Sequence, residues 1–195
     1  MLVQRAGTVC LEEWIVDDDP ERCVLDSYEV TTQTAGVVSG LERLAGVEVI
    51  AMVRMSNAAD AGWITTEPQT VTVGGTITVD PDAVSLIVGT YSPRMFTTLP
   101  KEGGQPGGTA AGSKQRLVKL SLRLNDSALP LVDGMRAAPD RTPETPMDTV
   151  EPRMTGDVTS RLLGWESKGS VTVTQDKPLR TEILAIYGVL STSEV

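Results

Sequence analysis

The sequence predicts a mainly β protein, an antiparallel β sandwich or barrel with long loops and at most short helices. Three observations predict it. Thr and Val, β-branched residues that suit a pleated surface, are abundant. Residues 69–79 read as two alternating arms around Gly74-Gly75, a pair that favours a tight hairpin turn. The other apolar runs are short and are separated by Gly, Pro and Asp at about the spacing of successive antiparallel strands. Aromatic residues make up only 4% of the 195, so the core is expected from Val, Leu, Ile, Ala and Met. The length suits one β-rich structural domain, 1–195, with residues 1–35 as an N-terminal hairpin extension.

In chain order, residues 8–16 and 23–30 read as strands on either side of an acidic turn, Asp17-Asp18-Asp19-Pro20. That turn lacks the alternating ligands, the Gly and the distal Glu of an EF-hand loop, so it is read as solvated. Residues 38–46 support one helical turn. Ser39 is the expected cap, Leu41 and Leu44 share a face, and Gly46 ends it. Residues 47–53 are apolar at nearly every position, as a strand buried on both faces would be. In the hairpin 69–79, Val71 and Val73 are expected to face one way, with Ile77 and Val79 across the turn. Asp80-Pro81-Asp82 breaks the second arm, and residues 84–91 form the next strand.

Residues 101–115 are Gly-rich and read as a flexible loop. They have neither Walker spacing nor the strand-to-helix context of a phosphate-binding loop. Residues 116–125 alternate in part between Leu or Val and Arg, Lys or Ser, which predicts one packed and one wet face. The stretch 133–153 carries Pro139, Pro143, Pro146 and Pro152, so it is expected to be extended and irregular. Residues 155–157, 161–165, 169–176 and 179–190 return to β structure, Pro178 arguing against a helix in the last run.

Composition narrows the function classes. The formal charge is −9, which suits neither phosphate gripping nor sequence-specific DNA binding. There is no histidine, so Ser-His and Cys-His nucleophile pairs are excluded and the commonest zinc ligand is missing. Cys10 and Cys23 could face each other across a hairpin, but free thiols are the expected state of a cytoplasmically assembled protein. No apolar run approaches the ~20 residues of a membrane helix, and residues 1–5 lack the apolar stretch of a signal peptide. Glu12 and Glu13 are adjacent, so on a strand they point to opposite faces; Asp80 and Asp82 flank a proline where turn chemistry explains them. Neither pair suggests catalysis, so the chain is expected not to be an enzyme, with no catalytic, cofactor-binding or metal-ligating residue. Arg94, Lys101, Lys114, Arg116, Lys119 and Arg123 form the most basic neighbourhood. Without interleaved aromatics or a recognition helix, subunit contact is favoured over DNA binding.

Four pieces of the chain, in order, resemble the tail nozzle proteins of short-tailed bacteriophages, also called tail tubular protein B. Val38-Ser39-Gly40-Leu41-Glu42-Arg43-Leu44-Ala45-Gly46-Val47-Glu48-Val49 is similar to the family's SGL-x-HL-x-G-x-x-V segment. Gly75-Thr76-Ile77-Thr78-Val79 resembles its G-x-I-T-V strand. The run from Val88 to Leu99, Val-Gly-Thr-Tyr-Ser-Pro-Arg-Met-Phe-Thr-Thr-Leu, resembles V-G-L-x-Y-x-S-x-L-x-T-L. Gly164-Trp165, Gly169, Val171, Val173, Gln175-Asp176, Pro178-Leu179 and Ile183-Leu184-Ala185-Ile186 follow its closing pattern. The chain departs from it at Arg43, where His is frequent, at Thr90, which replaces an apolar residue, and at Arg180, which replaces a second proline. Family members also carry a long N-terminal region before this one, which implies a compact relative or a role divided between two genes.

The resemblance implies a ring, typically of six copies, around the DNA exit channel of a virion tail, assembled in the host cytoplasm. Its partners would be copies of itself, a tail adaptor or other nozzle protein, and tail fibres, with DNA passing through without sequence-specific binding and no membrane insertion. Arg94, Lys101, Lys114 and Arg116 are then candidate subunit-contact or lumen residues. The competing reading is a β-sandwich module recognising a host surface or carbohydrate, with Trp63 and Trp165 as the aromatics available for stacking on sugar.

Overall fold

The computed structural model describes residues 2–5, 8–11, 24–56, 62–99, 104–105, 108–109, 115–136, 150, 152–160 and 170–192. The fold is mainly β and antiparallel, and among the described residues no sheet closes into a barrel. The chain divides into two compact units, Met1–Ser92 and Pro93–Val195, each with its own apolar cluster.

The first unit holds β1 (Leu2–Arg5), β2 (Thr8–Leu11), β3 (Asp26–Thr31), β4 (Gln33–Thr34), β5 (Val37–Val38), β6 (Glu48–Arg54), β7 (Ile64–Thr65), β8 (Gln69–Thr70), β9 (Ile77–Thr78) and β10 (Ser85–Thr90). Its main sheet runs β3-β10-β6-β7, with β8 also paired to β6; a smaller sheet runs β4-β5-β9. One face of the main sheet, Val49, Ala51 and Val53 of β6 with Leu86 and Val88 of β10, packs in one cluster with Val38 and Ile77 of the smaller sheet. Leu41, Leu44, Val71 and Ala83 complete it from the connections. Each fully buried Val or Leu contributes roughly 1.5–3 kcal/mol. Met52 and Ile87, paired across β6 and β10, are also fully buried, so both faces of these central strands are covered, as the apolar run 47–53 predicts.

The expected helix is one 3-10 turn over Glu42–Leu44, with Leu41 and Leu44 buried beneath it. Ser39 does not cap it: Leu41 occupies the cap position and makes no side-chain cap bond. The N-terminal pairing also differs from expectation. β2 pairs β1, with Cys10 opposite Val3, whereas β3 pairs β10. The acidic turn 17–20, residues 12–16, Cys23 and the Glu12–Glu13 pair lie outside the described residues.

The alternating stretch 69–79 makes the expected turn but not a continuous hairpin. The Gly75 amide bonds the Thr72 carbonyl at 2.9 Å, and the Thr72 amide bonds the Thr76 carbonyl at 3.0 Å. Gly75 has φ +68°, and a Cβ there would lie 2.6 Å from the Glu42 nitrogen, so only glycine fits. Beyond the turn the arms separate, β8 to β6 and β9 to β5. The Gln69 amide group spans the gap, donating to the Thr78 carbonyl at 2.8 Å and accepting from its amide at 3.2 Å. Val71 is buried while Val73, at the tip, is 95% exposed, so the two do not share a face as expected. Asp80 then shapes the next turn by accepting from the Asp82 amide at 2.8 Å, the local role that its place beside Pro81 predicts.

The second unit holds β11 (Arg94–Thr97), β12 (Gly104–Gln105), β13 (Gly108–Thr109), β14 (Gln115–Ser127), β15 (Leu131–Val132), β16 (Met135–Arg136), β17 (Met154–Ser160), β18 (Thr172–Gln175) and β19 (Ile183–Thr192). One sheet runs β11-β18-β15-β16 and the other β17-β14-β19. Leu120, Leu122 and Leu124 of β14 and Val158 of β17 share a cluster with Val132 of β15 and Val173 of β18. Lys119 and Arg123 of β14 are exposed but Ser121 between them is buried, hydrogen-bonded to Thr159 at 3.0 Å, so this strand has the packed face its alternation predicts and an outer face that is wet only in part. β19 lies close to β14: a Cβ on Gly188 would stand 2.5 Å from the Lys119 carbonyl oxygen.

Two expectations are corrected here. The Gly-rich stretch is not all loop, since β12 and β13 pair Gly104 with Thr109 and Gln105 with Gly108. The irregular stretch starts later than residue 133, because Asp133 (φ +47°) and Gly134 (φ +78°) form a tight turn between β15 and β16. Residues 137–149 and 161–165 lie outside the described residues.

Candidate subunit-contact surface

Among the described residues, the basic residues singled out in the sequence fall on two strands of the second unit. Arg94 begins β11, in the four-stranded sheet, and is exposed. Arg116, Lys119 and Arg123 lie on β14, in the other sheet of the same unit, where Arg116 stands opposite Ser191 of β19. Lys101 and Lys114 lie outside the described residues.

Arg123 is committed within its own sheet. Its guanidinium makes a two-pronged bond to the Asp157 carboxylate on β17, Nε to Oδ1 at 2.8 Å and Nη2 to Oδ2 at 3.0 Å. It also lies 5.9 Å from the centre of the Tyr187 ring on β19. Register explains the trio: Arg123 faces Asp157 across one ladder, while Tyr187 faces Ser121 across the other, one diagonal step away. The Arg123 bond holds the Asp157 carboxyl down at about 2, well below its ordinary value. A hydrogen bond to Asp157 raises the Tyr187 phenol, and Asp157 raises Arg123.

A second polar cluster lies where β14 bulges between Leu124 and Ser127. Asp126, at φ +42°, accepts from Arg153 at 3.0 Å and Arg180 at 3.5 Å. Arg180 also pairs with Glu182 at 2.6 Å, and Asn125 donates to Glu182 at 3.0 Å. These donors, Asn125 first and Arg180 second, lower the Glu182 carboxyl. Ser127, fully buried, donates to the Asn125 and Glu182 carbonyls and accepts from the Glu182 amide. The cluster therefore ties both the chain entering β17 and the chain entering β19 to the bulge. Arg180, a departure from the family pattern, supplies two of its ion pairs.

Trp63 is not available to stack on a sugar. It is 3% exposed, with the Arg54 guanidinium 4.3 Å from its ring centre. Trp165 lies outside the described residues. Among the described residues no group of three or more His, Cys, Asp or Glu side chains is arranged to hold a metal ion, and no helix is long and apolar enough to cross a membrane.

Apart from Val73 at its turn tip, much of the open apolar surface among the described residues lies at sheet edges. On β11 all four residues are exposed, Met95 to 67% and Phe96 nearly half. Leu99, just beyond, is more exposed still. β19 is an edge strand ten residues long with no charged side chain; Leu184 is 58% and Val189 56% exposed. The candidate contact residues of the sequence are cations and include none on this strand, although its uncharged run Ile183–Thr192 is visible in the sequence. No protein-family model matches the chain, and no curated protein matches it either.

Proposed function

We propose that the chain is a non-enzymatic structural subunit of a bacteriophage tail nozzle, one copy of a ring that surrounds the DNA exit channel. The observation that carries this reading is the pair of open-edged antiparallel units, with exposed apolar side chains on the edge strands β11 and β19 of the second. Open edges of this kind invite strand pairing between copies, and a ring satisfies every edge it uses. The acidic balance of the chain suits a wall that DNA passes without sticking. The ordered pieces that resemble the nozzle family support the same reading. Those with described placement fall on the strands β5, β6, β9, β10, β11, β18 and β19 and the 3-10 turn.

In this reading the ring docks to an adaptor or another nozzle protein and lies near tail fibres, within a virion tail assembled in the host cytoplasm. Electron microscopy and mass photometry of the purified full chain test it. A closed ring of defined copy number, six by the family resemblance, is the expected result. A strictly monomeric chain that is also absent from purified particles overturns it.

A further inference from the structure

We propose that the seam between copies is strand-to-strand and head-to-tail, the free edge of β19 in one copy pairing with the β11 edge of the next. The occupant of the β19 edge is thus a second copy of this chain. The proposal rests on the ring reading above and specifies where the ring is joined.

Electrostatics selects β19. Two copies of a chain with net charge −9 repel, so they approach with least opposition where no like charges meet. Among the described edge strands of six or more residues, β3 carries Asp26 and Glu29, β17 carries Asp157, and β19 carries no charge at all. Length selects it as well. Ten residues is long for an edge strand, and edges that must stay unpaired are usually short, charged, bulged or interrupted by proline; β19 has one irregularity of its own, at Leu184, and runs on for eight residues beyond it. No proline falls within β19. Leu184 and Val189 are open to solvent as the chain stands, so a neighbouring strand laid along this edge would cover them.

The second edge follows from symmetry. β19 paired with β19 would be two-fold and would stop at a dimer, whereas a ring needs two different edges on each copy. Of the other edges of these two sheets, β11 is four residues long with Met95 and Phe96 exposed, whereas β16 is two residues long with Met135 exposed and β17 carries Asp157; the one charge of β11 is the cation Arg94. Its carboxylate-free edge brings no negative charge against the neighbour.

The test is complementation between two full-length variants. One carries Leu184→Lys and Val189→Lys, which charge the β19 edge; the other carries Met95→Lys, which charges the β11 edge. All three side chains are well exposed, so circular dichroism and melting temperature should stay close to those of the parent. Mass photometry should show each variant alone as a monomer. An equimolar mixture should give a two-copy species, because each partner contributes one intact edge. Rings that persist with the β19 lysines in place overturn the seam and leave the ring reading standing. A Met95→Lys chain that still forms rings, or one that forms dimers alone, overturns the head-to-tail pairing. A parent chain that is monomeric at every concentration overturns both this seam and the ring. Val73→Lys, at the exposed tip in the first unit, is the control and should assemble like the parent.

Discussion

In the unit Met1–Ser92 the longest described edge strand is β3; in the unit Pro93–Val195 it is β19. β3 is six residues long, carries two carboxylates and has a register shift opposite Val88–Thr90. Arg43 reaches across to it, its guanidinium donating to the Ser27 carbonyl at 2.8 Å and pairing with Glu29 at 3.4 Å. An incoming strand would have to displace that cation and meet two negative charges. β19 has neither obstacle. Of the charges in its sheet, Arg123 and Asp157 are bonded to one another across β14 and β17, and Arg116, Lys119 and Asp126 lie on β14, so β19 itself carries no charge. The same architecture, two sheets around an aliphatic core, therefore presents one guarded edge and one receptive edge, and the difference lies in a few charged side chains.

The comparison assumes that each unit is a body of its own, and the largest effect tests that assumption. Leu86→Ala removes a fully buried side chain from the first core, and Leu122→Ala one from the second. Each should destabilise its own unit by about 2–5 kcal/mol. Calorimetry and amide hydrogen exchange should show two transitions, with Leu86→Ala lowering one and Leu122→Ala the other. If either substitution lowers both transitions equally, the chain unfolds as one cooperative body and the contrast between edges is not a contrast between units.

The strands themselves were largely legible, because burial imposes the pattern that the eye reads. β6 and β10 are apolar at nearly every position since both of their faces are covered, and β14 alternates in part since one face is packed while the other is covered only around Ser121. Pairing was less legible. Gly74-Gly75 marks a turn, but which neighbours the arms choose is decided by β5 and β6, residues distant in sequence. The Asp133-Gly134 turn carried a hairpin signal that the nearby prolines obscured. The division at Ser92–Pro93 falls inside one of the family-like pieces and has no compositional mark. Cations are the candidate contact residues of the sequence, because charge is conspicuous there. The folded chain ties Arg123 into its own sheet, and what stays outward at the β19 rim is uncharged.

Arg43 offers a smaller and more pointed test. Its side chain is half exposed, so its pairing with β3 contributes no more than about 1 kcal/mol to folding. Its larger role in the comparison is to block an edge. Arg43→Ala should leave the melting temperature nearly unchanged but promote association through β3, seen as higher-order species by light scattering. That association should weaken at low ionic strength, where Asp26 and Glu29 repel a second acidic chain most strongly. An Arg43→Ala chain that assembles like the parent would show that the carboxylates guard the β3 edge unaided.

The smallest effect concerns acid. Asp157 titrates at about 2 in the folded chain against 3.8 ordinarily, so its contribution to stability is complete above the ordinary value and is lost as pH falls through about 2. Glu182, lowered by Asn125 and Arg180, acts with the same sign. Both lie in the sheet that carries β19 or at its entrance, so the second unit should lose stability between about pH 4 and pH 2 through these groups. Asp157→Asn should flatten part of that pH dependence while leaving the first unit's transition in place. The pair is solvent-exposed, so the change should be a modest shift in melting temperature rather than unfolding. Carboxyl NMR checks the cause directly: an Asp157 resonance that titrates near 4 would mean that Arg123 does not hold it in solution. The sheet beside β19 would then hold two unpaired charges, and its contrast with the guarded edge of β3 would rest on the uncharged sequence of β19 alone.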